Sequence, residues 1–202
     1  SGSVGNFKGV LNIAGEMEQI DFGAAIMATG GKEAIPEEYL YGSEPRVMTQ
    51  MEFDRKVLFH PDEVNKAQSI VFIQCVGSRE PQRPYCSRVC CIHSVKVAIK
   101  LKKINPGIKV YILYREIRTY GEWEEHYNEA RNLGVIFIRY ETIRKPKVKK
   151  DGGLLTIKVF DPIARRPVRI TADYLALATG VVAWDNQHIA EFFKFNVSSD
   201  GF

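Results

Sequence analysis

Ser69-Ile70-Val71-Phe72-Ile73-Gln74 is a short apolar run that stops at Cys75-Val76-Gly77-Ser78. Its apolar residues fall on both alternating faces, which predicts a strand buried on both sides, as in a parallel sheet. Downstream, Ser87 to about Ile104 reads as a helix. Val89, Ile92, Val97, Ile99 and Leu101 are its apolar positions, and Asn105-Pro106-Gly107 ends it. Lys109 to Tyr114 is a further strand, Trp123 to Leu133 a helix closed by Gly134, and Val135 to Arg139 another strand. Ile143 to Val148, Leu154 to Phe160 and Pro167 to Ile170 are then three short runs between Gly, Asp and Pro turns, an antiparallel meander. Upstream, Thr49 is the N-cap of a helix over Gln50 to Leu58, and Glu52 completes a capping box. Lys32 to Arg46 reads as a surface loop, and Ala24 to Ala28 as one more buried parallel strand. The expected fold class is α/β, a Rossmann-like doubly wound sheet carrying an antiparallel β-meander.

The 202 residues suffice for one large or two small domains, and 45% hydrophobic with 26% charged is the balance of a folded chain. No apolar stretch is long enough for a transmembrane segment. The net charge of +4 is mild, and its densest source, Arg144 to Lys150, precedes the turn Asp151-Gly152-Gly153. This reads as a solvated hairpin, and no nucleic-acid partner is expected. All four cysteines fall between Cys75 and Cys91. Such clustering favours a metal or redox site in a reducing, cytoplasmic setting over disulfide staples.

Ala28-Thr29-Gly30 and Ala178-Thr179-Gly180 each close an apolar run. A small residue followed by glycine lets backbone lie against a flat ligand. The pair, with a βαβ unit and a meander between, resembles the two-dinucleotide-domain flavoproteins of the thioredoxin reductase and glutathione reductase group. The resemblance implies an FAD-binding role for both tripeptides. It also implies a partial FAD-binding domain over residues 1–45, an inserted NAD(P)-domain-like module over 46–170, and a return segment of the FAD domain over 171–202. No Gly-x-Gly-x-x-Gly loop occurs in the sequence, so the FAD pyrophosphate site is expected outside it.

The cysteine spacing is Cys75-x10-Cys86-x3-Cys90-Cys91. Within a continuous helix, Cys86 and Cys90 stand one turn apart on one face, and Cys91 points away from them. A strand end and a helix start can together surround a cubane, and four thiolates are what a [4Fe-4S] cluster takes. Paired C-x2-4-C knuckles for zinc and a C-x-x-C redox motif are both missing. An exchanging Cys86/Cys90 pair, a Cys90–Cys91 vicinal disulfide and inert buried thiols remain as alternatives.

The strings Phe72-Ile73-Gln74-Cys75-Val76-Gly77-Ser78-Arg79, Tyr85-Cys86-Ser87-Arg88-Val89-Cys90-Cys91 and Tyr114-Arg115-Glu116-Ile117-Arg118-Thr119-Tyr120-Gly121 resemble the heterodisulfide reductase A-subunit family. So does Glu129 to Tyr140, and the likeness covers most of residues 20–202. It implies that Cys75, Cys86, Cys90 and Cys91 ligate a [4Fe-4S] cluster close to FAD, in an oxidoreductase component that relays electrons between the two. The implied partners are other heterodisulfide reductase-type or electron-donor subunits. Competing readings are a thiol-based pyridine nucleotide-disulfide oxidoreductase and a non-catalytic subunit-docking module. Arg115 and Arg118 stand where related reductases bind the NADPH 2′-phosphate. Without the glycine fingerprint they read as surface or cluster-tuning residues, and Arg79 and Arg88 as residues that could stabilise thiolate charge.

Overall fold

A computed structural model describes residues 1–202. The chain opens with strands β1 (Gly2–Ser3), β2 (Asn6–Ile13) and β3 (Glu16–Phe22), joined in a small antiparallel sheet. Short strand β4 (Gly31–Glu33) follows, then β5 (Val47–Thr49) and helices α1 (Gln50–Phe59) and α2 (Pro61–Asn65). The central unit is β6 (Ser69–Val76), α3 (Cys90–Ile104), β7 (Lys109–Tyr114), α4 (Trp123–Asn132) and β8 (Ile136–Arg139). The meander is β9 (Lys147–Asp151), β10 (Leu154–Asp161) and β11 (Arg166–Ala172), and the chain ends with β12 (Tyr174–Thr179), β13 (Val181–Ala183) and α5 (Gln187–Phe193).

Five of these strands form one parallel sheet in the order β5-β12-β6-β7-β8. The pleat sorts their side chains onto two cores. Ile70, Phe72, Val110, Ile112 and Ala176 join Phe53, Val57, Val95 and Ala98 of the helices on one face. Val71, Ile73, Leu113, Leu175 and Leu177 meet Leu155, Ile157, Val159 and Ile170 of the meander on the other. Each such side chain removed from water stabilises the fold by about 1.5–3 kcal/mol, which is why β6 is apolar at consecutive positions rather than alternate ones. The capping box at Thr49 is present in both directions, Glu52 N–H to Thr49 Oγ1 at 3.3 Å and Thr49 N–H to Glu52 Oε2 at 2.7 Å.

Three sequence expectations are corrected. Ala24 to Ala28 is not a buried strand: residues 24–30 are exposed and lie outside any sheet. The edges of the parallel sheet are β5 and β8, so this apolar segment has no neighbouring strand with which to pair its backbone. The helix expected from Ser87 begins at Cys90, because Arg88 turns left-handed at φ 63° and breaks the helical path before it. The strand Tyr174–Thr179, expected with the return segment that starts at residue 171, lies inside the parallel sheet between β5 and β6, in register Leu175↔Val71 and Leu175↔Val47.

Candidate functional site

The chain leaves β6 toward β7 and β8 on one side and later returns to β12 on the other, so the strand order switches direction between β6 and β12. In open α/β sheets, ligands bind at the carboxyl edge of such a switch point. The cysteines collect there. Cys75 sits at the end of β6, Cys86 in the loop that follows, and Cys90 and Cys91 in the first turn of α3. Cys90 Sγ donates to the Thr179 carbonyl at the end of β12, 3.4 Å away, and Cys91 Sγ approaches the Glu116 carbonyl beyond β7 at 3.8 Å. The Arg88 amide donates to Cys86 Sγ at 3.4 Å. Cys86 therefore reaches the site from an irregular loop and not from the helical face that the four-residue spacing suggested. All four cysteines are free thiols, so no Cys90–Cys91 disulfide is formed.

The loop after β6 is held in an unusual shape. Cys75, Gly77 and Arg79 all have positive φ, at 59°, 57° and 58°. Only Gly77 adopts this region without cost, so something must hold the two neighbours there. The Arg115 guanidinium does so. It donates to the carbonyls of Arg79 at 3.0 Å, Ser78 at 3.1 Å and Cys75 at 3.3 Å, and pairs with the Glu80 carboxylate at 2.9 Å. Its side chain is only 8% exposed. Arg79 in turn pairs with Glu116 at 2.9 Å, and Arg83 donates to the Gly77 carbonyl. Arg79, Tyr114, Arg115 and Arg139 line a cleft of about 780 Å³ at this edge of the sheet.

A second set of polar groups lies beneath the thiols. Gln74 Nε2 donates to Ser94 Oγ at 2.6 Å, Ser94 Oγ to Gln50 Oε1 at 3.0 Å, and Gln50 Nε2 to the Cys90 carbonyl at 3.2 Å. Tyr140 Oη donates to the Gln74 carbonyl at 2.6 Å. The three linked side chains are all buried. They tie the strand end that carries Cys75 to the helix start that carries Cys90 and Cys91. Nothing in the sequence marks them, because Gln50, Gln74 and Ser94 share no local spacing.

The electrostatics of the site pull in two directions, burial opposing thiolate charge and an uncapped helix start favouring it. Burial pushes the Cys75 thiol up; burial and the neighbouring thiols raise Cys90 to about 12 and Cys91 to about 11. A shared cation would offset the burial that holds Cys75, Cys90 and Cys91 in the protonated form. Helix α3 has Val89 at its N-cap and no side-chain cap, leaving the amides of its first turn to favour negative charge. Arg79 Nη1 and Thr179 Oγ1 are buried without hydrogen-bond partners. No three His, Cys, Asp or Glu side chains are arranged around a single metal ion. A four-iron cluster makes a different demand, one thiolate for each iron, and Cys75, Cys86, Cys90 and Cys91 are the donor set that could meet it.

The two Ala-Thr-Gly segments occupy different surroundings. Ala28, Thr29 and Gly30 are exposed, and a side chain at Gly30 would meet nothing within 4 Å. Ala178, Thr179 and Gly180 are buried, and a Cβ at Gly180 would stand 3.2 Å from Ser78 Cβ and from Arg83 Cδ. The residues after both segments pair in an antiparallel ribbon, Val181↔Glu33 through Ala183↔Gly31. His93, in the first turns of α3 close after Cys91, pairs with Asp54 at 2.9 Å. Arg118 pairs with Glu116 at 3.0 Å.

No family model matches the chain. An iron-sulfur A subunit of the CoB--CoM heterodisulfide reductase of Methanopyrus kandleri is 33% identical over 208 residues, covering 91% of this chain and 30% of that protein. The A subunit of the H(2)/formate:CoB-CoM heterodisulfide,ferredoxin reductase of Methanococcus maripaludis is 34% identical over 203 residues, with the same shares covered. The chain thus spans about 30% of the length of these curated relatives. Among solved structures, a Cu(II) complex of a mutant of the HOCl-induced flavoprotein disulfide reductase RclA from Escherichia coli superposes with a TM-score of 0.55 at 14% identity, covering 99% of this chain and 39% of that one. The thioredoxin reductase of T. acidophilum gives 0.52 at 12% identity, covering 96% and 57%. These likenesses show the fold, an α/β unit shared with flavoprotein disulfide reductases.

Proposed function

Because the chain is homologous over 91% of its length to one segment of the heterodisulfide reductase A subunits, we propose that it is the electron-relay segment of such an oxidoreductase. Cys75, Cys86, Cys90 and Cys91 hold a [4Fe-4S] cluster in this reading. What supports it is the placement of all four cysteines at the carboxyl edge of the sheet, Cys75 at the end of β6, Cys86 in the loop after it, and Cys90 and Cys91 at the uncapped start of α3. FAD belongs to the reading through Ala28-Thr29-Gly30, whose exposed backbone ends at an open glycine. Ala178-Thr179-Gly180 borders the cysteines in this reading, since the Thr179 carbonyl touches Cys90 Sγ and Gly180 faces the loop after Cys75. When bound, the flavin supplies two-electron chemistry and the cluster single-electron chemistry. The chain's own residues fix the cluster ligands in place: Arg115 holds the Cys75 loop, and Gln74, Ser94 and Gln50 hold the Cys90 backbone.

The thiol-exchange alternative asks for a thiolate near neutral pH. Burial pushes Cys90 the other way, to about 12. In the ligand role the irons would supply positive charge to offset that burial, a compensation an exchanging pair lacks.

The ligand assignment is tested by anaerobic reconstitution with iron and sulfide, followed by gel filtration and absorbance of the eluted protein. The expected result is a brown protein whose visible absorbance is lost or sharply reduced in Cys75→Ala, Cys86→Ala, Cys90→Ala and Cys91→Ala. Full absorbance in any one variant removes that residue from the ligand set. Full absorbance in all four overturns the site.

A further inference from the structure

The meander presents two faces of opposite character. Leu155, Ile157 and Val159 of β10 point into the core with Ile170 and Ala172 of β11. The alternate positions point away from it. In the register of the sheet, Lys158 lies directly opposite Lys147 on one side and Arg169 on the other. All three are exposed. Lys149 stands in the neighbouring row, opposite Thr156 and beyond it Thr171. Arg144 lies over the ring of Phe160, which shares this face, 4.7 Å from its centroid.

Directly opposed like charges destabilise an antiparallel pair. A row of three, Lys147-Lys158-Arg169, is therefore held against the interests of the fold. The remaining cations of this region are used differently. Lys150 pairs with Glu44 at 2.8 Å, and Lys145 with Glu38 at 3.0 Å and Glu80 at 2.6 Å. On the outer face the one acidic approach is Asp151, 3.9 Å from Arg169, with both side chains largely in water, where such a pair contributes little. Exposed apolar side chains accompany the cations: Leu154 on the sheet, Ile163 in the β10–β11 turn and Ile143 just before β9.

We propose that this outer sheet face, centred on Lys147, Lys158 and Arg169, is a docking surface for an acidic face of a partner protein. Charge complementarity names the partner's chemistry, and apolar side chains beside the cations suit a protein contact. A single-stranded nucleic acid would want free aromatic rings on which bases stack, and the ring here, Phe160, is covered by Arg144. An anionic membrane would answer the cations by charge alone, and it is set against the acidic polypeptide in the test. The surface lies on the side of the meander away from the central sheet, so its docking role is independent of the cluster assignment.

The test is fluorescence anisotropy at low salt with labelled poly-L-glutamate as the acidic polypeptide, alongside duplex DNA of matched charge and phosphatidylserine vesicles. The expected result is binding to poly-L-glutamate that weakens at least about tenfold, or 1.4 kcal/mol, in a Lys147→Glu/Lys158→Glu variant. The control Lys8→Glu/Lys66→Glu carries the same charge change elsewhere and should bind as wild type does. No binding, equal weakening in the control, or tighter binding to DNA or vesicles would each overturn the proposal. A second measurement keeps folding in view. Lys158→Gln should raise the thermal midpoint at low salt, and the gain should vanish near about 1 M salt, where the Debye length is about 3 Å. A lower midpoint, or a gain independent of salt, would mean that the row carries no electrostatic cost to be explained.

Discussion

Arg115→Ala is the substitution that most directly probes how the cysteine loop is held. The guanidinium makes three bonds to backbone carbonyls, those of Cys75, Ser78 and Arg79, and one ion pair with Glu80. Hydrogen bonds to a charged group are each worth about 1.5–3 kcal/mol, and breaking a buried pair costs about 3–5 kcal/mol. Two features of the site hold the loss toward the lower end. The adjoining cleft admits water to the released carbonyls, and Lys145 remains 2.6 Å from the Glu80 carboxylate. The expected loss is about 3 kcal/mol. With a urea m-value of about 2 kcal/mol/M, that lowers the unfolding midpoint by about 1.5 M. The assay is urea unfolding of the iron-free protein followed by circular dichroism, so that ligand loading does not enter. Arg115→Lys keeps the charge but not the planar fork, and should fall between wild type and Arg115→Ala. A midpoint within about 0.3 M of wild type, or about 0.6 kcal/mol at that m-value, would refute the claim that Arg115 sets the left-handed path of Cys75 and Arg79.

Ser94→Ala removes the hydroxyl between Gln74 and Gln50, and should cost about 1–3 kcal/mol as two buried amides lose a partner; the same urea titration checks it. Phe53→Ala empties a fully buried ring site against Phe72 and Tyr174 and should cost about 3–5 kcal/mol, read as a lower thermal midpoint with the fold retained by circular dichroism. Hydrogen bonds from Arg46 and Lys150 hold the Glu44 carboxyl at about 2, below its ordinary value of 4.5. Its folded pKa is depressed, so its contribution to stability is complete above about pH 4.5 and is lost as pH falls toward about 2. Glu44→Gln should therefore flatten the pH dependence of stability across that acid window.

Much of this architecture is legible in the sequence wherever local pattern and tertiary need coincide. The run Ser69–Gln74 is apolar at consecutive positions because it sits between two cores, and its strand forms as expected. The capping box at Thr49 and the turns around Asp151-Gly152-Gly153 work through neighbours in the chain, and they too form. Ala24 to Ala28 has the same composition as a buried strand, but a strand also needs a partner, and none lies beside it. Spacing likewise misplaces Cys86. It predicts a helical face only if the helix is continuous, and the left-handed turn at Arg88 ends that continuity. How the site is supported was not legible, although Arg115 itself stood out as a surface or cluster-tuning residue. Arg115 reaches across about 36–40 residues to its carbonyls, and Gln50 across 40 to Cys90. Such contacts are set by the order of strands, which no local window contains. The like-charge row on the meander was visible only as a basic stretch until the register placed Lys158 between Lys147 and Arg169.

The proposed electron-relay role rests on Cys75, Cys86, Cys90 and Cys91 holding one four-iron cluster. The decisive measurement is iron and acid-labile sulfide analysis of the anaerobically reconstituted protein, with EPR of the dithionite-reduced sample. About four irons and four sulfides per chain are expected, with a reduced-cluster signal that disappears in Cys90→Ala. Reconstituted protein that is folded by circular dichroism but carries no iron beyond the Cys90→Ala background would contradict the assignment.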